Sequence, residues 1–251
     1  MHGTILSADT REQVSNLTGV TYDGRETIIA ARQEGLNYWR QMEWAGFHIE
    51  HLCRERLGAA ASTHSYSYTD RVGNTTFDSS LTEDIGMLRL GMPIEVKLSL
   101  ARTQRSAYPK TVILNDAQAM DAAITQGGLL VLMFQGFAVL DTDYSFADWR
   151  TEYQGGLSAE SLKNRMEGRS RRKRKKSVTV QRCAVMLLNS DNAVMLQKHE
   201  QGRNSGAGAP RAVKYKIQPS EFMKRYPDSV DLIQGVHESK EEPLSKRLGV
   251  L

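Results

Sequence analysis

One stretch constrains this chain more than any other. Residues 127–140 form an almost unbroken apolar run, entered through Gly127 and Gly128 and interrupted only by Gln135. A membrane-spanning helix needs about 20 consecutive apolar residues, so this run is too short to cross a bilayer and has to be buried in protein. Short apolar runs bounded by turn formers read as inner strands. The run therefore predicts a buried strand, or a strand pair over 129–134 and 137–140.

The segments around it supply the covering layers. From Glu26 to about Leu57, apolar residues recur three or four apart (Ile28, Ile29, Leu36, Trp39, Met42, Ala45, Ile49, Leu52 and Cys53), which is helical spacing. Gly58 is placed to stop that helix, and Gly35 and Gly46 mark points where it can divide. Residues 115–126 also read as helix, with Asn115 or Asp116 as N-cap and Gly127-Gly128 as the stop. A short helix is expected over 158–166 and a strand over 178–188, while 63–78 reads as strand with a turn near 70–74. The expected class is α/β, a mixed central sheet flanked by helices with a basic C-terminal extension. The expected divisions are an N-terminal arm over 1–25, a core over 26–155 and a basic, substrate-holding region over 156–251.

Composition excludes several classes. Lys and Arg number 33 against 29 Asp and Glu, a formal charge of +4, which permits a polyanionic partner without demanding one. Cys53 and Cys183 are the two cysteines, far apart and outside any CxxC pattern, which argues against a disulfide framework and against a structural zinc site. Residues 1–13 lack a basic start followed by an apolar core, so no secretory signal is expected. These features predict a protein in solution inside a cell, cytoplasmic or, in a eukaryotic host, nuclear, with no membrane partner.

Residues 83–99 carry the chemistry. They read as two short strands around a tight turn at Leu90-Gly91, with Pro93 opening the second strand, where its missing N–H does least harm. In that register Gly86 faces Glu95 and Asp84 faces Lys97. Opposed residues share a face, so Asp84, Glu95 and Lys97 would project together. An ordinary exposed hairpin would carry Asp84 and Lys97 as a cross-strand ion pair worth at most about 1 kcal/mol. Against that, Ile94, Val96 and Leu98 alternate with the charges, and an inner strand is a poor place for solvated ones. Two carboxylates converging with an ammonium suit Mg²⁺, which takes oxygen ligands and keeps several waters. Asp84 and Glu95 are the candidate ligands, with the carbonyl of Val96 completing the coordination, and Mn²⁺ is expected to substitute. Lys97 is placed to orient a water or stabilise charge developing on phosphate.

Asp84, then ten residues, then Glu95-Val96-Lys97 behind an apolar lead-in resembles the PD-(D/E)XK nuclease superfamily, the restriction-endonuclease-like fold. The context is similar too: a helix before the hairpin, then a helix and a strand after it, over roughly 36–140. Glu83 stands where a proline often precedes the first acid. The resemblance implies a metal-dependent endonuclease hydrolysing phosphodiester bonds, DNA ahead of RNA, of restriction or phage and mobile-element type. It also implies a further acid on the preceding helix, for which Glu50 is the candidate and Glu43 the rival. Cutting both strands of a symmetric site would favour a homodimer.

Two alternatives stay open. Cap-snatching endonucleases of segmented RNA viruses resemble this fold and place a histidine on an early helix. His48 or His51 would then bind metal, and Lys110 would be the catalytic lysine. A non-catalytic nucleic-acid-binding protein would rely on the basic tract at Arg169, Arg171, Arg172, Lys173, Arg174, Lys175 and Lys176, seven basic residues in eight positions. That tract reads either as phosphate contact or as a solvated linker. Arg102, Arg105 and Lys110 follow the Glu95 strand closely and are candidates to grip phosphates beside it. Tyr66 and Tyr68 have the spacing to stack on bases, although aromatics at strand spacing are more often packing. Residues 202–210 are Gly-rich but lack the Lys-Ser/Thr of a phosphate-cradling loop.

Overall fold

The computed structural model of the protein describes residues 5–57, 59–61, 79–81, 91–104, 107–157, 159–168, 173–200 and 212–234. In chain order these form α1 (Ala8–Ser15), β1 (Val20–Asp23), α2 (Gly24–Gln33), α3 (Trp44–Arg56), β2 (Ala59–Ala61), β3 (Ser79–Leu81), β4 (Pro93–Ala101), β5 (Val112–Asp116) and α4 (Ala117–Thr125). Then follow β6 (Leu129–Leu140), α5 (Ser145–Tyr153), α6 (Ala159–Met166), β7 (Lys175–Leu188), β8 (Gln197–His199), β9 (Lys214–Ile217), α7 (Pro219–Arg225) and β10 (Val230–Gln234). The class is α/β: a mixed seven-stranded sheet, ordered β1-β7-β6-β4-β3-β2 with β10 also on β7, flanked by helices.

The apolar run becomes one strand rather than a pair. All of Leu129 to Phe134 are fully buried, and β6 lies between β4, to which it is parallel, and β7, to which it is antiparallel. Parallel neighbours need a crossover connection, and β5 with α4 provides it. The Asp116 carboxylate caps α4 by accepting from the Ala119 N–H at 3.1 Å, and the chain leaves the helix through Gly127 and Gly128.

Side chains alternate along β6, so that strand feeds two cores, while β4 gives its apolar side to one of them. On one face Ile94, Val96, Leu130, Leu132 and Phe134 pack with Ile28, Trp44, Ile49 and Cys53 from α2 and α3. On the other, Val131, Met133 and Met186 pack with Met120 of α4, Phe222 of α7 and Leu114 and Ile217 of a small sheet, β5-β9-β8. Burying a side chain such as Phe134 or Ile94 is worth about 1.5–3 kcal/mol, and residues of this kind fill both layers.

The expected helix over 26–57 is divided. α2 ends where Gly35 takes a left-handed φ of +73°, a conformation that costs a side-chain-bearing residue more. A 3₁₀ turn at Asn37–Arg40 follows, and α3 then runs through Gly46 without a break. The sheet also runs across the divisions expected at 25 and near 155. β1 comes from the expected arm and β7 from the expected C-terminal region, yet the two pair with each other, and β7 pairs along its length with β6. Neither boundary is a seam, because the hydrogen-bonded ladder crosses both.

Of the expected hairpin, β4 is present with Pro93 at its start. Ile94 and Pro93 pair with Ser79 and Ser80 of β3, the positions that a two-residue turn at Leu90-Gly91 would have given to residues 87 and 88. The connection from β3 to β4 is therefore longer than a tight hairpin. Residues 82–90, with Asp84, lie outside the described residues, as do the expected strand at 63–78, with Tyr66 and Tyr68, and the Gly-rich segment 202–210. No described helix is long and apolar enough to cross a membrane.

Candidate active site

Glu95 and Lys97 sit two residues apart on β4 and share the face opposite Ile94 and Val96. In register, Glu95 lies beside Val131, Lys97 beside Met133 and Ser99 beside Gln135. The Glu95 side chain is 1% exposed and its Oε1 pairs closely with the Lys97 ammonium, which keeps 30% exposure. Its other oxygen, Oε2, accepts from Asn115 Nδ2 at 3.2 Å. Asn115 is itself fixed, because its Oδ1 accepts the Asp116 N–H at 2.8 Å. A carboxylate this deep is costly unless paired and hydrogen-bonded, and both conditions are met. The gradient of exposure from Glu95 to Lys97 means that the pair opens to solvent on the lysine side.

One step further along the same face the surface stays polar. Ser99 lies beside Gln135, which lies beside Arg182 of β7. Gln135, 3% exposed, donates from Nε2 to the Ala107 carbonyl and accepts at Oε1 from Arg182 Nε at 2.7 Å. The Arg182 guanidinium stands 4.4 Å from the centre of the Tyr108 ring. Burial is the largest influence on Tyr108 and pushes its phenol well above the ordinary range, which keeps it neutral.

As a metal-binding surface, this face offers the Glu95 carboxylate. Among the described residues no three His, Cys, Asp or Glu side chains converge as a cage. Mg²⁺ retains waters and needs only one or two carboxylates besides phosphate, so Glu95 fits as one ligand. Asp84, expected as the second, lies outside the described residues.

The helix acids do not join this site. Glu50 stands on α3, which packs against the Ile94 and Val96 side of β4, so the sheet separates α3 from the face carrying Glu95 and Lys97. Glu43 precedes the same helix and pairs with Lys175. His48 lies in an aromatic setting, Nδ1 at 2.9 Å from the Tyr38 hydroxyl and its ring edge-on to Tyr22 at 5.1 Å. Burial first, and then His51, pushes its imidazole down to about 4. His51 Nε2 lies 3.4 Å from Glu55 and 4.0 Å from Glu34.

Of the expected phosphate-gripping residues, Arg102 directly follows β4 and Lys110 precedes β5, and both are exposed. Arg105 is outside the described residues, as are Arg169, Arg171 and Arg172. Lys173 is exposed and the Arg174 carbonyl accepts from the Asp141 N–H at 2.8 Å. Lys175 and Lys176 open β7, so the end of the tract is strand rather than linker. Lys175 pairs with Leu140 while Glu95 pairs with Val131. That is nine residues along β6, about 30 Å at roughly 3.3 Å each. The described end of the tract thus lies at the opposite end of the sheet from Glu95.

Asn115, Tyr108 and Arg182 are site residues that motif reading missed. Asn115 was legible only as a helix cap, because a strand-end amide reaching back to a strand 20 residues earlier has no local signature. Gln135 did carry a signal, as the lone polar residue in an apolar run. No family model, curated protein or solved structure matches this chain.

Proposed function

We propose that this protein is a Mg²⁺-dependent endonuclease that hydrolyses phosphodiester bonds, with DNA the favoured substrate. The observation that carries the proposal is the buried Glu95 carboxylate, paired with a partly exposed Lys97 on an inner strand of the sheet. Replacing a buried ion pair by apolar residues is often neutral or stabilising, so stability alone gives little reason to keep one there. The surroundings support the same reading: α3 precedes the strand, and α4 and the parallel β6 follow it, the context in which the sequence resembles the PD-(D/E)XK nucleases.

Glu95, with Asp84 and the Val96 carbonyl, would hold the metal, and Asn115 fixes the orientation of the Glu95 carboxylate. When bound, the ion supplies Lewis-acid polarisation of the phosphate and a water of lowered pKa. Lys97, at the open edge of the pair, presents its ammonium to the phosphate oxygens and stabilises the charge that accumulates on them during attack. Its close contact with Glu95 holds the ammonium in place before substrate arrives.

Purified protein incubated with plasmid DNA and with single-stranded RNA, in Mg²⁺, in Mn²⁺ and in EDTA, tests this directly. Cleavage of DNA that EDTA abolishes is expected, and Asp84→Ala, Glu95→Gln and Lys97→Met should each remove it while DNA binding persists. Metal-dependent loss of RNA with intact DNA would transfer the proposal to the cap-snatching type. Binding without cleavage of either substrate would overturn it in favour of a non-catalytic nucleic-acid-binding protein.

A further inference from the structure

On the side of the sheet away from Glu95, α2 and α5 meet along an aromatic seam. Phe146, Trp149 and Tyr153 recur three and four apart on α5, so they share one face of it. Their rings stack in turn, Phe146 on Trp149 at 5.7 Å and Trp149 on Tyr153 at 5.2 Å between centroids. Trp39, from the 3₁₀ turn, meets Tyr153 edge-on at 6.0 Å. Phe146 is buried, whereas Trp149, Tyr153 and Trp39 stay half-exposed. Arginines line this row. Arg25 and Arg32 lie on one face of α2, about 10 Å apart at roughly 1.5 Å per residue. The Arg25 guanidinium stands 5.4 Å from the centre of the Trp149 ring, and that of Arg32 stands 4.6 Å from Tyr153 and 4.9 Å from Trp39. Arg40 ends the row, 4.8 Å from Trp39.

Part of this array serves the fold. Arg25 and Arg32 tie α2 to α5 by donating to the Ser145 carbonyl at 3.4 Å and the Tyr153 carbonyl at 3.2 Å. The charge is left over. All three arginines are exposed, and among the described residues none of them pairs with a carboxylate. The Arg40 guanidinium lies on Trp39 with no hydrogen bond to the described residues. Nearby acids are used elsewhere: Asp23 caps α2, Asp148 pairs with Arg165 and Glu43 with Lys175. Glu26 and Glu152 are exposed and pair with none of the three. The basic tract arrives at the same place, because a Cβ on Gly24 would lie 2.9 Å from the Lys176 carbonyl oxygen. Lys176 is exposed and likewise has no carboxylate partner among the described residues.

Cations spaced along half-exposed rings match one chemistry best. In a single-stranded nucleic acid the phosphates take the charges, and the unpaired bases stack on aromatic rings or on guanidinium planes. A duplex keeps its bases inside, and an acidic peptide would use the charges and leave the rings idle. We infer that the α2–α5 seam, with Arg25, Arg32 and Arg40 set on Trp149, Tyr153 and Trp39 and with Lys176 at its start, binds single-stranded nucleic acid. Nothing in this surface depends on Glu95 being catalytic.

Tryptophan fluorescence of the full chain in EDTA, titrated with a short oligothymidylate and in parallel with oligouridylate, tests the inference without turnover. Trp44 is 1% exposed, so stacking on bases is read by Trp39 and Trp149. Saturable quenching is expected, and the tighter oligomer identifies the strand as DNA or RNA. Arg40→Gln combined with Lys176→Gln removes two exposed charges and should melt like the parent. It should weaken binding at least about tenfold and reduce the slope of log affinity against log salt by about 0.7 to 1.4. Unchanged affinity and slope in that variant would overturn the inference, as would binding by anisotropy with no change in fluorescence. Equally tight binding of a duplex would exclude the single-strand assignment, and equal competition by polyglutamate would exclude nucleic acid. Absence of cleavage in Mg²⁺ sinks the nuclease reading and leaves this surface standing. Metal-dependent cleavage without quenching sinks only this surface.

Discussion

Acidifying the solution should loosen α3 through one side chain, His48. Its imidazole meets the Tyr38 hydroxyl at 2.9 Å, the edge of Tyr22, and His51 one turn on. Burial, with His51 adding to it, pushes it from an ordinary 6.5 to about 4. The folded protein therefore binds this proton less readily than the unfolded chain does. The neutral-His48 contribution is complete above about pH 6.5, shrinks as pH falls towards 4, and is flat below that. At about 1.4 kcal/mol per pH unit the full difference is roughly 3 kcal/mol, of which about 2 kcal/mol is lost by about pH 5. Urea unfolding of the parent and of His48→Gln at about pH 7.5 and about pH 5 measures it. Other groups titrate in both proteins and cancel in the comparison. The parent should lose about 2 kcal/mol more than the variant across that interval. Equal losses would show that the aromatic setting does not disfavour the charged imidazole.

Two further substitutions probe the frame around the site. Gly136→Ala forces a Cβ to within 2.0 Å of the Thr179 carbonyl oxygen. It should lower stability by at least about 2 kcal/mol, and an unmoved urea midpoint would refute the close approach of β6 and β7. Arg150, 3% exposed, donates to the carbonyls of Gln41 and Met42 just before α3. Arg150→Met should cost about 2–3 kcal/mol by leaving them short of a donor, and calorimetry showing an unchanged melting temperature would exclude that role.

Sequence signals specify structure where the interaction that makes them is local. Asp116 caps a helix three residues on, and the apolar run from Leu129 becomes a strand because nothing else can shelter it. Alternation likewise puts Glu95 and Lys97 on one face, since that follows from the pleat. Which neighbour takes the free edge of β4 depends on where the chain returns, and Ser79 and Ser80 have no sequence mark that claims it. For α3, the period identifies Ile49 and Cys53 as inward-facing but does not say which side of the sheet the helix covers. That is why Glu50, a plausible partner by spacing, stands on the other side from Glu95. The Gln135–Arg182 contact spans 47 positions and needs a bulge, so it appears only once both strands are in register.

The place of β7 also sets an order of assembly during synthesis. β6 is finished by residue 140, but the strand that satisfies its second edge spans 175–188. Until that stretch leaves the ribosome, a nascent chain carries twelve residues of largely apolar strand with one row of peptide groups unmatched. Such an edge is a template for pairing with other chains. The seven basic residues in 169–176 run into the first two positions of that strand and emerge ahead of the rest of it. Like charges placed there repel other chains during the interval in which the open edge is most exposed to them.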